Sequence, residues 1–326
     1  MSSAKEITLD HVHNGLLLYH HPYSYYSQKV VMSLYEKNLP FQKQFVNLVK
    51  EVQYESWFLK LNPRGEIPVL QDTGKVIPDS GRIIDYLEDN FSNGDTPRLI
   101  PIDDIDVRQK VLHFRSVIDP LPARVLTIGS FHHSEFVHFP RPPFVGPVRS
   151  LLKRADNNIV NVLKKLSETN PENQPTLLHK ISIHERNNSM ITEKDEYLKV
   201  LDRFDKALTE IENELSTHIE GLDKENWWLC GNCFTTADIS LTILLERLSQ
   251  LGYESRFWKN GKRPHIEKYY AKVKQRESYK KTIPNMLFHV KMFMATYRKQ
   301  LTISLGVGIC VVIILGGVFI GLKPKK

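Results

Sequence analysis

Two short stretches of this chain carry residue types that could bind a small acidic peptide. The first is residues 62–70 (NPRGEIPVL), where Pro63 and Gly65 predict a turn and the IPVL run predicts a short strand. A proline removes a ladder donor, so Pro68 belongs at the first position or the edge of that strand. A cis bond before Pro68 costs only about 0.5–1 kcal/mol, and it would leave the backbone N–H and C=O of Ile67 free to pair with an extended peptide.

The second stretch is the start of the next predicted helix. Asp79 and Ser80 open that helical pattern, and a helix start binds carboxylates through its free N–H groups and its dipole. A strand edge beside an anion-binding helix start therefore predicts a site for a small acidic peptide. The alternative is an ordinary strand–turn–helix in which Ser80 only caps the helix, and the local pattern leaves both interpretations open.

The apolar pattern around these stretches predicts the order β-α-β-α-β-β-α over residues 15–91. The first helix is expected over residues 24–36, and Pro68 leads the third strand. This order is typical of a small α/β domain of thioredoxin type. Residues 92–105 are rich in Asn, Gly, Pro and Asp, which predicts a linker.

Beyond the linker the apolar residues recur with helical spacing, which predicts an all-helical domain over residues 106–285. Residues 151–166 show this spacing clearly, whereas residues 180–194 are polar and only weakly patterned. Thr235 and Asp238 form a capping-box variant, with Asp in place of the usual Glu. We expect the apolar helix that follows them to be buried along almost its whole length.

Composition excludes some functions. The net charge of +7 suits an anionic partner, but no RNA-binding, zinc-finger or helix-turn-helix signature accompanies it, so nucleic acid is not an expected partner. Three cysteines cannot supply a disulfide framework, and they fit a reducing compartment. The chain has no GxxxxGKS/T motif, so we do not expect it to use GTP to divide membranes.

Two cysteine and histidine patterns suggest chemistry that we do not expect. Cys230-x-x-Cys233 precedes a helix instead of following the first strand of an α/β fold, so we expect two small buried core residues and not a redox pair. Adjacent side chains diverge on a helix or a strand, so the pairs at 20–21 and 132–133 are not expected to bind zinc. We predict no metal site.

The C-terminal stretch predicts attachment to a membrane. Leu301 to Leu322 is an uncharged run close to the ~20 residues needed to span a bilayer, with basic residues on both sides. Residues 286–300 favour a basic amphipathic juxtamembrane helix over a plain core helix. Residues 1–14 form a polar tail without a cleavable signal. We predict a tail anchor in the mitochondrial outer membrane with the soluble domains facing the cytosol, and the peroxisomal membrane is a further candidate location.

Taken together, these motifs resemble those of the glutathione transferase family over residues 16–90 and 195–285. The resemblance rests on five patterns: Ser24-x-x-Ser27-Gln28-Lys29-Val30, residues 62–70, Asp79-Ser80, Ile84-x-Tyr86-Leu87, and Gly231-x-x-Phe234-Thr235-x-Ala237-Asp238. It implies a thioredoxin-like N-terminal domain and an all-α C-terminal domain with an insertion at about 141–194. The tail and the insertion resemble, more narrowly, the tail-anchored ganglioside-induced differentiation-associated branch, which is implicated in mitochondrial fission.

This resemblance implies glutathione as a co-substrate or ligand. It puts Ser24 where such transferases hold the hydroxyl that faces the sulfur, as the catalytic residue. It puts Ile67 and Pro68 against the cysteinyl backbone, and Asp79 and Ser80 against the γ-glutamyl amine and carboxylate. A free thiol is only a few per cent ionised at pH 7, so the chemistry implied is thiolate activation.

Some residues count against efficient catalysis. Glu66 would repel an anionic peptide, and four other hydroxyls compete with that of Ser24, namely those of Tyr23, Tyr25, Tyr26 and Ser27. We therefore predict a membrane-tethered, transferase-like regulator of mitochondrial fission and redox state, with weak or absent transferase activity. The alternatives are an active transferase that conjugates apolar electrophiles and a sensor of fatty-acid-like ligands. The expected partners are the bilayer, a second copy of the chain, and mitochondrial-dynamics or cytoskeletal proteins.

Overall fold

The computed structural model describes residues 15–94, 96–219 and 226–301, with the backbone alone described at residues 219 and 296–301. The described residues up to Ile283 belong to one compact unit, and those from Pro284 onward belong to another. The predicted N-terminal tail and the predicted span from Leu301 to Leu322, apart from its first residue, lie outside the described residues.

The α/β part of the first unit has the predicted element order. The elements are β1 (Leu16–His20), α1 (Tyr25–Glu36), β2 (Phe41–Phe45), α2 (Ser56–Leu61), β3 (Val69–Asp72), β4 (Lys75–Pro78) and α3 (Ser80–Asn90). The sheet has the strand order β2-β1-β3-β4, in which β1 and β2 are parallel and the other neighbours are antiparallel. Residues of β1 alternate between two cores: Leu18 packs with α1 and α3, and Tyr19 packs with α2.

The rest of the first unit is helical, as predicted, and α9 lies at its centre with every residue buried. The Thr235–Asp238 capping box is confirmed, and the Asp238 carboxylate also accepts from Leu229 N at 2.8 Å. The helices are α4 (Ile105–Ile118), α5 (Ala123–His132), α6 (Gly146–Thr169), α7 (Gln174–Thr192), α8 (Lys194–Ile219), α9 (Thr236–Leu251), α10 (Glu254–Phe257), α11 (Pro264–Val273) and α12 (Glu277–Thr282). In the second unit, α13 covers Met286–Leu301.

The weakly patterned stretch at 180–194 is mostly helical, since α7 extends through Thr192. Only Leu177, Ile181 and Ile191 are buried on this helix. Lys180 is mostly buried and His184 partly so, and both have partners within the molecule. Polar residues that contact the protein dilute the apolar periodicity by which a helix is recognised in a sequence.

The expectation that both cysteines lie in the core is wrong for Cys233. Cys230 is buried, but Cys233 is exposed, and both thiols are free. Between them Gly231 takes a φ of 144°, in a tight turn where Trp228 and Gly231 form a β-bridge. The turn carries the chain back to the surface before α9 begins. Burial raises the pKa of both thiols, which disfavours thiolate redox chemistry at this motif.

Buried polar contacts join the α/β part to the helices. Lys29 Nζ of α1 lies 2.5 Å from Asp119 Oδ1, and Arg276 forms two hydrogen bonds to Glu36 at 2.8 and 2.6 Å. Lys37 Nζ lies 2.7 Å from Glu88 Oε1, with both side chains almost fully buried. Glu88 also accepts from the backbone N–H groups of residues 99 and 100. The segment that follows α3 is therefore held against it.

Within the described ranges, no helix combines the length and the apolar character that a bilayer crossing needs.

Candidate functional site

The register of the strands brings three loops together at one end of the sheet. Tyr19 near the end of β1 pairs with Val69 at the start of β3, and Val69 pairs with Pro78 at the end of β4. The segments that adjoin these three positions are residues 20–24, residues 64–68 and residues 79–80. They contain every predicted site residue: Ser24, Ile67, Pro68, Asp79 and Ser80. The topology therefore gathers residues that are far apart in the sequence at one end of the sheet.

The loop before β3 presents the backbone of Ile67. The Ile67–Pro68 bond is cis. Ile67 is half-buried, and its N–H and C=O have no hydrogen-bond partner among the described residues. Both groups are thus open to pairing with another extended backbone.

Asn62 and Gly65 shape this loop. The Asn62 side chain donates to Glu66 O at 2.8 Å and accepts from Arg64 N at 3.2 Å. Gly65 has a φ of 57°, and a Cβ there would lie 2.7 Å from the Tyr54 ring, so the position requires glycine. The sequence motif includes both residues, but the organising role of the Asn62 amide emerges only from the structure.

Asp79 caps helix α3. Its Oδ1 accepts from Gly81 N at 3.0 Å and Arg82 N at 3.1 Å, which satisfies two donors of the first turn. Its Oδ2 has no partner among the described residues. The alternative interpretation gave the cap to Ser80, but Ser80 is the first helical residue and is buried. Asp79 thus combines a structural role with one free carboxylate oxygen at the site.

Ser24 caps helix α1. Its backbone is extended, and its Oγ accepts from Ser27 N at 3.2 Å. The residue is half-buried, so its hydroxyl is held in place but is still reachable. A hydroxyl that accepts from the helix can donate its own proton to an anion placed at the helix start, where the dipole also favours negative charge.

The competing hydroxyls differ in access. Those of Tyr25 and Ser27 are buried and have no hydrogen-bond partner among the described residues. Burial raises the pKa of Tyr23 to about 12 and also raises the pKa of Tyr26, which is 38% exposed. At the start of α1, Tyr23, Ser24 and Tyr26 are therefore at least partly exposed, whereas Tyr25 and Ser27 are buried.

Glu66 does not face the site as an isolated negative charge. Lys180 Nζ of α7 lies 3.1 Å from its Oε1 and donates to Arg64 O at 2.7 Å. The Arg64 guanidinium lies 3.8 Å from the other Glu66 oxygen. The repulsion expected from Glu66 is therefore offset by two neighbouring cations, one of them contributed by a helix that the sequence pattern did not reveal.

Arg247 of the helical part contacts the loop that carries Ser24. It extends from α9 and donates through Nη2 to Tyr23 O at 2.8 Å, next to Ser24. Sequence reasoning missed it because it lies within a helix that is predicted to be buried. A charged residue in such a helix was the one signal that could have identified it, since buried arginines are rare without a partner.

His21 holds the same loop from within the α/β part. Its Nδ1 accepts from Tyr23 N at 3.1 Å, which requires an unprotonated nitrogen. Burial lowers the pKa of His21 to about 4, and the neighbouring His20 contributes to this shift. The histidine is therefore neutral at neutral pH and serves as an acceptor that positions the Ser24 loop.

Comparisons with known proteins assign this architecture to a class. A profile of the glutathione S-transferase N-terminal domain matches residues 18–95, and a profile of the C-terminal domain of the same proteins matches residues 185–272. The first range contains all five candidate site residues, and the second contains α9. The fold and the site together define a glutathione S-transferase-like protein.

Solved structures agree with this class. The beta-etherase LigF from Sphingobium sp. strain SYK-6 has a TM-score of 0.62 and 21% identity, and the match covers 82% of this chain and 98% of that one. Ure2p in complex with glutathione has a TM-score of 0.56 and 16% identity, with 82% and 98% covered. At such identities the likeness shows the shared fold.

A relative with higher sequence identity than these structures defines the family more narrowly. Ganglioside-induced differentiation-associated protein 1-like 1 of Homo sapiens is 31% identical over 276 residues, which cover 82% of this chain and 74% of that protein. The chain therefore belongs to the ganglioside-induced differentiation-associated protein 1 family of glutathione S-transferase-like proteins.

Proposed function

We propose that this chain is a glutathione-binding, transferase-like protein of the mitochondrial outer membrane, which regulates mitochondrial fission and redox state with weak or absent transferase activity. The observation that carries the glutathione part is the meeting of three loops at one end of the sheet. These loops offer an unpaired Ile67 backbone, a free Asp79 oxygen beside a helix start, and an oriented Ser24 hydroxyl. Glutathione is a small acidic peptide with a group suited to each of them.

In this proposal each part of glutathione has its own partner. The cysteinyl backbone pairs with Ile67 beside Pro68, and the thiol faces Ser24. The γ-glutamyl amine meets Oδ2 of Asp79, and the γ-glutamyl carboxylate meets Ser80 at the start of α3. The glutathione bound by Ure2p, a protein of the same fold, supports this choice of ligand.

A melting experiment tests the ligand. Glutathione at a hundred times its dissociation constant should stabilise the purified full-length protein by about 2.7 kcal/mol, because it binds only the folded state. The dipeptide cysteinylglycine is the matched control, since it keeps the thiol but lacks the γ-glutamyl group, and it should shift the melting temperature far less. An unchanged melting temperature up to millimolar glutathione contradicts the proposal.

The membrane part of the proposal rests on family membership and on the uncharged run from Leu301 to Leu322. Deleting the chain from Leu301 onward should release the protein into the cytosol and abolish its effect on mitochondrial length. The control replaces this run with an unrelated outer-membrane tail anchor, which should restore both. An effect on mitochondrial length that survives the deletion would show that anchoring is not part of the function.

A second candidate, an active transferase that conjugates apolar electrophiles, is favoured by the accessible Ser24 hydroxyl at the start of α1. Loss of one hydrogen bond to a thiolate is worth about 1.4 kcal/mol, so Ser24→Ala should reduce turnover about tenfold. Ser27→Ala is the control, because that hydroxyl is buried and unpaired. Turnover that is unchanged in Ser24→Ala would remove Ser24 from the chemistry, and Tyr26→Phe would then be the next variant.

We further propose that the protein forms a homodimer, as is common among glutathione S-transferase-like proteins. Light scattering on the purified chain in detergent, corrected for the micelle, should give twice the monomer mass. A monomer mass at micromolar concentration contradicts this.

A further inference from the structure

Arg247 is a buried cation without an anionic partner. It is 5% exposed, and no Asp or Glu carboxylate lies within ion-pair distance of its guanidinium in residues 15–94, 96–219 and 226–301. Burial lowers its pKa to about 10, so it is still charged at neutral pH. Because a buried charge without a partner is costly, this position favours an anion that the described chain does not itself contain.

The contacts of Arg247 lie at the start of α1. Its Nη2 donates to Tyr23 O at 2.8 Å, and its Nη1 donates to Thr127 Oγ1 at 2.9 Å. Its Cζ lies 5.8 Å from the centre of the Tyr25 ring and 4.8 Å from that of Phe144. Its Nε and the Tyr25 hydroxyl are buried and have no partner among the described residues. Two polar groups are thus unsatisfied at one place.

The titratable groups that face Arg247 do not supply the missing charge. From α1 these groups are Tyr25 and Tyr26, and burial raises the pKa of both, so they are neutral at neutral pH. On α9 itself the nearest is Glu246, whose carboxylate accepts from Gln250 Nε2 at 2.8 Å and Tyr270 Oη at 2.6 Å. Glu246 is therefore bound by other donors, and although it attracts the Arg247 guanidinium at longer range, it forms no ion pair with it among the described residues.

We propose that Arg247 stabilises the thiolate of glutathione bound at this site. The inference rests on the proposed function, because glutathione brings its thiol to Ser24. The carbonyl that Arg247 holds belongs to the peptide bond between Tyr23 and Ser24, so the guanidinium acts beside the group that faces the sulfur. Arg247 is a positioning residue that acts through its charge and through this loop. The thiol proton leaves to solvent water, and no bond to Arg247 forms.

The expected size of the effect follows from electrostatics. For opposite unit charges on the order of 8 Å apart, with an effective dielectric constant of about 20, the attraction is enough to lower a thiol pKa by roughly one unit. The start of α1 and the Ser24 hydroxyl add to this. Removing the charge alone should therefore raise the pKa of the bound thiol by about one unit without preventing ionisation.

The test measures the pKa of bound glutathione from the ultraviolet absorbance of the thiolate as the pH is raised, in the full-length protein. Arg247→Gln removes the charge and should raise this pKa by about one unit. Arg247→Lys keeps the charge and should retain most of the depression. Thr127→Val is the matched control, since it removes the acceptor of Nη1 but leaves the charge, and it should leave the pKa within a few tenths of the wild-type value.

Calorimetric titration of each variant separates this inference from the proposed function. If the wild type gives no heat with glutathione, the proposed function and the inference fall together. If the wild type and Arg247→Gln both bind glutathione and give the same thiol pKa, the inference alone is wrong. A purely structural role would lower the melting temperature in Thr127→Val and Arg247→Gln alike and would leave the thiol pKa unchanged.

If Arg247→Gln does not fold, the wild type and Arg247→Lys carry the test. A site that lowers the thiol pKa must bind glutathione more tightly as the pH rises from the bound thiol pKa towards that of the free thiol, about 8.5 for a free cysteine. S-methylglutathione has no ionisable thiol and should lack this increase. The same pH dependence for both ligands overturns the inference, and an increase for glutathione alone, kept by Arg247→Lys, supports it.

Discussion

The two halves of the site differ in what they contribute and in how visible that contribution is in the sequence. The α/β half supplies backbone groups, a helix start and a capped hydroxyl, through Ile67, Asp79 and Ser24. The helical half supplies positive charges, through Lys180 of α7 and Arg247 of α9. The first set shapes a place for an extended peptide, and the second makes that place favourable for an anion.

This difference shows that binding shape and binding charge come from separate parts of the chain. Glu66 alone would make the α/β half unfavourable for an acidic ligand, and Lys180 of the helical half joins Arg64 in offsetting that charge. If glutathione binds as proposed, a change in the helices should alter its affinity without disturbing the loops that define the candidate site.

The largest expected effect is on the ion pair between Lys37 and Glu88, which lies in the α/β half and holds the segment that leads to the helices. Lys37→Met leaves the buried Glu88 without its ion-pair partner and should destabilise the fold by about 3–5 kcal/mol in chemical denaturation. A single transition, shifted as a whole, is expected because the two halves share one compact unit. Lys280→Met, which removes an exposed ion pair, is the control and should leave the transition in place.

Two outcomes would contradict the prediction for Lys37→Met. Separate transitions for the sheet and for the helices would mean that the halves fold independently. A loss below about 1 kcal/mol would mean that water or another donor replaces Lys37. Adding Glu88→Leu to Lys37→Met should recover part of the lost stability, because no unpaired charge is then left in the core.

The next effect is a loss of folding stability at acid pH. Burial lowers the pKa of His20, His21 and His184 to about 4 from the ordinary 6.5. Between those values the unfolded chain binds more protons than the folded one, so stability should fall as the pH drops from 6.5 towards 4. His21→Gln should remove about 1–3 kcal/mol of this loss while its amide oxygen still accepts from Tyr23 N.

Denaturation curves at pH 7 and pH 5 measure this acid effect. His179→Gln, at an exposed position, is the control and should show the same acid loss as the wild type. If His21→Gln loses as much stability as the wild type between the two pH values, His21 is not neutral in the fold. The loop of Ser24 would then depend on some other contact.

The smallest effect tests the charge contributed by α7. Lys180→Met leaves Glu66 with Arg64 alone and should weaken glutathione binding by about 1 kcal/mol, roughly fivefold in Kd. Glu66→Gln added to this variant should restore the affinity, because the repulsive charge is then gone. Calorimetry on the two single variants and the double variant completes a double-mutant cycle. Additive changes in binding free energy would show that Lys180 acts independently of Glu66.

The sequence predicted the site where its signals are local. A proline at a strand start, a glycine in a turn and a capping residue each constrain their own backbone, so residues 62–70 and 79–80 predict their own local structure and the candidate site. The element order of the sheet and the buried helix α9 followed from periodicity for the same reason. The register that brings the three loops together was not visible, because strand pairing is not local.

The charges were missed for a different physical reason. Lys180 weakens the apolar pattern of α7 by facing the protein, so its stretch resembled irregular structure. Arg247 lies in a mainly apolar helix, and its partners at positions 23 and 127 are distant in sequence. Cys233 was misplaced because one glycine turn reversed the chain before α9. Contacts across a fold depend on packing that a single sequence does not display.

The most direct measurement is isothermal titration of glutathione into the full-length protein, with Asp79→Ala and Asp79→Asn beside it. The wild type should bind in the micromolar to millimolar range, about −8 to −4 kcal/mol. Asp79→Ala should lose the binding and about 1 kcal/mol of stability with the helix cap. Asp79→Asn should keep the cap and still bind weakly. Heat of the same size from wild type and Asp79→Ala, or no heat from the wild type, would contradict a glutathione site at this end of the sheet.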